Sequence, residues 1–362
     1  MSRILRFLRA NPISILLLAI PAVILAELLH WPSIWIFALS AVAIIPLASY
    51  IGESTESLAH YTGPKLGGLL NATLGNAAEL IITIVAIREG LLDLVKASIT
   101  GSILGNLLLV LGMSMLLGGL KHKTQSFDRR QASNNAILLV LTVLILLIPS
   151  LFSHGIGHLD PPDPRVEALS LGVAGVMIVL YGLGLLYSFK SAGGPLSPEQ
   201  PDEILTHKAW PLRTALLVLA FSTVGVAWMS EVLVGAIEPV IEALGISEFF
   251  IGVIFIPIIG NVAEHLVAVQ MAAKNKMTLS VEIAVASSLQ IALFVAPVLV
   301  FISLLMGNPL TLVFDQFELL ALIAGVMIAA LVSADGESNW LEGIELLAIY
   351  IIVGLAFFLL PG

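Results

Sequence analysis

The stretch Gly67–Glu79, GGLLNATLGNAAE, lies in a long apolar segment, ends in a carboxylate and occurs twice: Gly252–Glu264 reads GVIFIPIIGNVAE. Gly67 and Gly252, Gly75 and Gly260, Asn76 and Asn261, and Glu79 and Glu264 are each 185 positions apart. The same offset pairs Ser102 with Ser287 on the next apolar segment. An ionised side chain at mid-membrane costs about 2.5–3.5 kcal/mol on insertion scales, so an intramembrane carboxylate points to function. Two at matching places in two repeats sharpen that reading.

Composition supplies the membrane. Of 362 residues 58% are hydrophobic and 11% charged, against roughly 25% charged in soluble domains. The chain has no cysteine, which excludes disulfides and thiolate metal sites, and its net charge of −9 argues against nucleic acid as a partner. Arg3, Arg6 and Arg9 precede an apolar run that continues to about His30 without a clean small-residue cleavage site. It reads as a retained first helix rather than a signal peptide.

Eleven segments have the roughly 20 apolar residues a crossing needs: 12–30, 33–52, 65–88, 91–119, 132–153, 165–189, 210–236, 247–273, 279–306, 317–334 and 341–360. The expected fold is an all-α polytopic membrane protein. Residues 1–31 form an extra N-terminal helix, 32–190 a first five-helix repeat, 191–208 an acidic cytoplasmic loop and 209–362 a second five-helix repeat. Five crossings are odd, so the repeats have opposite topology, a recurrent plan of secondary transporters with the site at the repeat interface. Thr55-Glu56 and Ser230-Glu231 echo each other at an offset of 175.

Charge in the connections sets the orientation. Lys121, Lys123, Arg129 and Arg130, then Lys190, Lys208 and Arg213, then Lys274 and Lys276 fall in alternate connections, whereas Ser153–Pro164 carries no lysine or arginine before Arg165, and Pro239–Glu248 and Gly307–Gln316 carry none. Positive loops face the cytoplasm, which places the N-terminus inside and the C-terminus outside. Lys65 alone marks the second connection, and the tenth, Ala334–Trp340, is acidic.

On a helix Asn76 and Glu79, and likewise Asn261 and Glu264, are i and i+3 neighbours, so each motif presents an amide beside a carboxylate. Pro257 removes a backbone donor and frees a carbonyl upstream, and Gly67-Gly68 is expected to loosen the first copy comparably. The following segments, GSILGN (Gly101–Asn106) and ASSLQ (Ala286–Gln290), add Ser102, Asn106, Ser287, Ser288 and Gln290 as oxygen donors. Interhelical hydrogen bonding is the rival role for these polar residues. Two carboxylates plus neutral oxygens suit a hard cation such as Ca²⁺, which takes 6–8 oxygens; the donor set also admits Na⁺, Mg²⁺ or Mn²⁺.

GNAAEL (Gly75–Leu80) and GNVAEH (Gly260–His265), with SSLQIALFVAP (Ser287–Pro297), resemble the two hallmark regions of the Ca²⁺/H⁺ antiporters, a branch of the cation/Ca²⁺ exchanger superfamily. The resemblance spans nearly the whole chain; it departs at Ala286, where a glycine is expected before the serines. It implies that Glu79 and Glu264 bind Ca²⁺ and protons alternately and that neighbouring amides and hydroxyls complete the site. The expected function is export of Ca²⁺ in exchange for protons, with no cofactor, across a lipid bilayer, in a prokaryotic plasma membrane. A homo-oligomer is left open. The alternatives are a proton-coupled antiporter of Na⁺ or Mn²⁺ and a passive cation channel. No HExxH motif argues for an enzyme.

Other polar residues carry weaker expectations. Glu56, Glu231 and Glu282 are candidates for an access path, with solvated helix ends as the rival reading. His154, His158 and Asp160 have metal-site spacing, but the surrounding glycines and prolines point to an external loop. His265 points about 100° away from Glu264 on a helix, so packing is its expected role.

Overall fold

The computed structural model describes residues 12–156, 163–190 and 209–360. The acidic 198–203 stretch, Lys208, His158, Asp160 and Arg3, Arg6 and Arg9 lie outside the described residues.

A 3₁₀ stretch, Pro12–Leu18, leads into α1 (Ala19–Leu28). Helix α2 (Ser33–Leu74) is bent at Gly63, whose φ of 80° is open to glycine and strained for other residues, and Pro64 then restarts the helix. After a two-residue interruption come α3 (Ala77–Arg88), α4 (Leu92–Leu104), a π-helical turn (Gly105–Val110) and α5 (Leu111–His122). Helices α6 (Arg129–Ile156) and α7 (Pro164–Lys190) complete the first half. The second half runs through α8 (Leu212–Gly235), α9 (Ile237–Leu244), a turn at Glu248–Phe250, a π-helical turn (Ile251–Phe255) and α10 (Ile256–Ala273). It ends with α11 (Met277–Gln290), a π-helical turn (Ile291–Val295), α12 (Ala296–Met306), α13 (Gln316–Val332) and α14 (Trp340–Leu359).

Among the described residues eight helical stretches are long and apolar enough to cross a membrane, and Ile13–Leu28 and Gln316–Val332 are shorter apolar helices. The third expected segment, 65–88, is not one helix. It is the end of α2 followed by α3, because the chain breaks at Gly75-Asn76, where Asn76 leaves helical geometry with ψ of 17°. The loosening expected at Gly67-Gly68 lies instead at Gly63 and at Gly75-Asn76.

Exposed apolar residues form stripes at helical spacing: Ile137, Leu141, Leu144, Ile148 and Leu151 on α6, and Val176, Val179, Leu183 and Leu186 on α7. Stripes of this kind, rather than polar outer faces, suit hydrocarbon as solvent. Of the most apolar 18 residues within Leu92–His122, 72% are buried, the highest share among the described spans, so α4 and α5 run through the middle of the bundle. Small residues bring its neighbours close. A Cβ on Gly112 would sit 3.1 Å from the Gly343 carbonyl oxygen of α14, and one on Gly252 would sit 2.6 Å from Ala97 Cβ. Backbones approach this closely where packing between small residues drives helix association.

The connections gather on two opposite ends. At one, β1 (Gln125–Ser126) pairs antiparallel with β2 (Glu337–Ser338), Gln125 Nε2 donates to Asn275 Oδ1 at 2.9 Å, and Lys121 Nζ donates to the Ala273 carbonyl at 2.8 Å. At the other, Glu248 Oε1 accepts the Leu94 N–H at 3.0 Å and Asn308 Nδ2 donates to the Ile87 carbonyl at 2.9 Å.

Candidate ion site

The two motifs meet inside this bundle and address each other. A Cβ on Gly260 would lie 3.2 Å from Glu79 Cβ, and one on Gly75 would lie 3.1 Å from Glu264 Oε1. Each motif glycine therefore faces the other motif's glutamate, and a larger residue at either place would press on it. Glycine is what lets α3 and α10 cross at the level of the carboxylates.

Each glutamate is then held by the serine 23 positions downstream. Ser102 Oγ donates to Glu79 Oε1, and Ser287 Oγ donates to Glu264 Oε2 at 2.6 Å. Asn261 Nδ2 crosses between the halves, 3.3 Å from Glu79 Oε2 and 3.2 Å from Ser102 Oγ. It also lies 3.2 Å from the Pro257 carbonyl. On the other side Asn106 Nδ2 donates to Ser287 Oγ at 3.1 Å, and Asn76 Nδ2 donates to Gln290 Oε1 at 2.8 Å. The donors of both motif asparagines are thus occupied. Their carbonyl oxygens are not: Asn76 Oδ1 and Asn261 Oδ1 are buried without a partner. A buried polar atom left unpaired costs about 1–3 kcal/mol, so a matched pair of such oxygens asks for an explanation. A cation between the motifs supplies one.

The local backbone shapes the donors. Asn76 is the cap of α3 yet makes no side-chain capping bond: its Nδ2 donates to Gln290, and its Oδ1, the atom that would cap, is without a partner. It is therefore not the i neighbour of Glu79 on a continuous helix, as its spacing suggested. Asn261 and Glu264 do share the continuous helix α10. Pro257 has no N–H for the Val253 carbonyl, and that oxygen packs against Gly101, next to Ser102. The π turns at Gly105–Val110 and Ile291–Val295 end at matching places and begin within about one helical turn after the serines. Such turns recur at functional sites.

Eight of the nine sequence candidates, Glu79, Glu264, Asn76, Asn261, Ser102, Asn106, Ser287 and Gln290, carry these bonds. Ser288 does not: its hydroxyl turns back to the Ala284 carbonyl of its own helix at 3.0 Å. His265, read as packing, lies with Nε2 3.2 Å from Asn106 Oδ1 and so joins the Ser287 side. Its place next to Glu264 gave no hint of that, since Asn106 comes from the other half. Glu231 pairs with Arg88 at 2.9 Å, both about half exposed. Glu56 is partly buried with Oε1 unpartnered, and Glu282 lines a small surface recess with Asp128 and Asn135. Neither touches the two motifs through any described hydrogen bond. His154 is held on the Ser150 carbonyl of its own helix at 2.8 Å.

The chain matches the sodium/calcium exchanger protein family over residues 32–190 and 214–359. It is 47% identical over 368 residues to a Ca(2+)/H(+) antiporter of Aphanothece halophytica, with 96% of each chain covered. To the Ca(2+)/H(+) antiporter ChaA of Bacillus subtilis it is 46% identical over 344 residues, covering 94% of this chain and 97% of that one. A solved structure of native YfkE is 44% identical, with a TM-score of 0.84 over 96% of this chain and 100% of that one.

Proposed function

Because the chain belongs to the Ca²⁺/H⁺ antiporters of the sodium/calcium exchanger protein family, we propose that Glu79 and Glu264 bind Ca²⁺ and protons in turn as it alternates access across the membrane. It is an integral membrane transporter that exchanges Ca²⁺ for H⁺ and carries out no chemical conversion. The finer reading rests above all on the two buried, unpartnered asparagine oxygens beside two carboxylates held by matching serines. Empty, the pair of carboxylates holds protons; Ca²⁺ brings two positive charges and displaces them. Asn76 Oδ1, Asn261 Oδ1 and the hydroxyls of Ser102 and Ser287 complete the oxygen set, with Asn106 and Gln290 holding the asparagine and serine in place. Ca²⁺ and protons are cargo, and no resident cofactor is part of the proposal.

Orientation follows from the basic connections. The end that gathers Lys121, Gln125 and Asn275 is cytoplasmic, which puts both the N-terminus and the acidic 191–208 loop inside and the C-terminus outside. Protons and Ca²⁺ excluding each other on two shared carboxylates makes the exchange obligatory if only occupied forms cross between states. Proton-gradient-driven ⁴⁵Ca²⁺ uptake into proteoliposomes tests this. Uptake that persists with no proton gradient and no counter-ion would mark a channel instead.

A further inference from the structure

Glu318 is a buried carboxylate at the start of a short apolar helix, and the two motifs do not account for it. It lies in the first turn of α13 and is 2% exposed. Its Oε2 accepts the Asp315 N–H at 2.8 Å and closes a capping box. Its Oε1 accepts a hydrogen bond from Thr100 Oγ at 3.0 Å. A capping box needs one side-chain oxygen, and glutamine supplies it as well as glutamate. Capping therefore explains neither the ionisable group nor the bond to Thr100, while burying such a group away from water is unfavourable.

The neighbours suggest what the group is for. Thr100 is fully buried on α4, two residues before Ser102. Two residues advance about 3 Å along a helix axis and turn it through about 200°. Glu318 and Glu79 therefore address one level of α4 from two sides, one through Thr100 and the other through Ser102. One turn earlier, Lys96 lines a cavity of about 330 Å³ together with Asp93, Glu248 and Thr311. Lys96 pairs with Asp93 at 2.6 Å and lies one turn before Thr100 on the face of α4 that meets Glu318. Asp315 is the charged group beside it on its own element. Helix α6 brings His154 to the same end, fixed on the Ser150 carbonyl. Phe317 packs on Phe357 of α14, so Glu342 and Glu345, near the start of that helix, lie towards its opposite end.

We propose that Glu318 is a proton-binding residue of the exchange, exchanging its proton with the Asp93–Lys96–Glu248 cavity while its bond to Thr100 couples its state to α4, the helix that carries Ser102 and through it Glu79. The step is proton transfer alone. An acid in the cavity loses the proton that Glu318 gains, and Glu318 returns to a carboxylate when it gives that proton back to the cavity. The cavity opens at the end of the bundle opposite Lys121 and Gln125, so this is the loading route from that face. The inference rests on the Ca²⁺/H⁺ exchange reading above.

The test compares two assays on the full chain in proteoliposomes: ⁴⁵Ca²⁺ uptake driven by a pH gradient, and Ca²⁺/Ca²⁺ self-exchange at equal pH, which moves no net proton. Glu318→Gln preserves the cap and should leave self-exchange unchanged. Proton-driven uptake should fall on the order of 10²-fold, a typical contribution of a positioned proton-transfer group, and lose its dependence on pH at the cavity face. Thr100→Val should act in the same direction, and Thr100→Ser should restore the wild-type profile. Equal losses in both assays would reduce Glu318 to a helix cap, and no loss in either would remove it from the cycle. Wild-type protein without proton-driven uptake would sink the exchange reading itself, before any variant is compared.

Discussion

If Ca²⁺ displaces protons from Glu79 and Glu264, its affinity must depend on pH with a slope that counts them. By linkage, the change in log affinity per pH unit equals the number of protons released per Ca²⁺ bound. The site has two carboxylates at its centre, each already holding a serine hydroxyl. Where both are protonated when empty, the slope is about two, or about 100-fold and 2.8 kcal/mol per pH unit. The sign is fixed: lowering the pH fills the carboxylates with protons and weakens Ca²⁺, and the slope falls to zero once both are ionised. Glu264→Gln or Glu79→Gln leaves one titrating group, so the maximal slope should drop to about one, or about 1.4 kcal/mol per pH unit. Because the pair is coupled, the steps belong to the pair and not to either residue. Calorimetric titration of detergent-solubilised protein in buffers of different ionisation enthalpy reads affinity and proton release together. Affinity that is flat between about pH 5.5 and 8.5, a range in which buried carboxylates titrate, would refute the shared site. So would a slope that neither glutamine variant changes.

Three further outcomes follow. Glu79→Gln and Glu264→Gln should each abolish exchange while keeping the wild-type unfolding temperature; near wild-type transport in either would remove that glutamate from the mechanism. Gly101→Ala would drive a Cβ into the Val253 carbonyl oxygen and Pro257, whereas Gly105→Ala meets nothing within 4 Å. The first should lower stability by about 1–3 kcal/mol, as overpacking does, and the second should be near silent; equal thermal shifts would contradict the close approach of α4 to the Ile251–Phe255 turn. Single cysteines at Lys123 and His154, in a chain without cysteine, should be inaccessible and accessible respectively to an impermeant thiol reagent in intact cells. The reverse pattern would invert the orientation.

The membrane class, the pairing of the motifs and most of the polar site were legible because they are carried by residue type and spacing. A glutamate, an asparagine and a glycine repeated at one offset in apolar surroundings leave few readings. Contacts between the halves were not legible. His265 meets Asn106 and Thr100 meets Glu318 across 159 and 218 positions, and no local pattern encodes such meetings. Glu318 also hides behind an ordinary capping sequence, Asp315–Glu318, which explains one of its oxygens and so draws no attention to the other. Ser288 shows the converse: it has the right composition beside Ser287, but one step along a helix turns it by about 100° and its hydroxyl back-bonds to Ala284.

The departure from repeat symmetry is the most informative part of what the sequence did not reveal. Both motifs contain Gly-Asn at the same place, yet the chain breaks at Gly75-Asn76 and runs on as helix through Gly260-Asn261. Asn261 reaches Glu79 across the interface, while Asn76 turns to Gln290 and leaves Glu264 to its serine. Glu79 is fully buried and Glu264 only partly so. Local preference does not account for the difference, since the two Gly-Asn steps are the same; their tertiary surroundings must. In a transporter of inverted repeats this is the expected form of a one-sided state: the two halves cannot have identical conformations while only one side has access to the site. The proposed cycle then requires the halves to exchange roles. Asn76 would reach Glu264 as Asn261 releases Glu79, and each carboxylate would in turn be the one sealed from water.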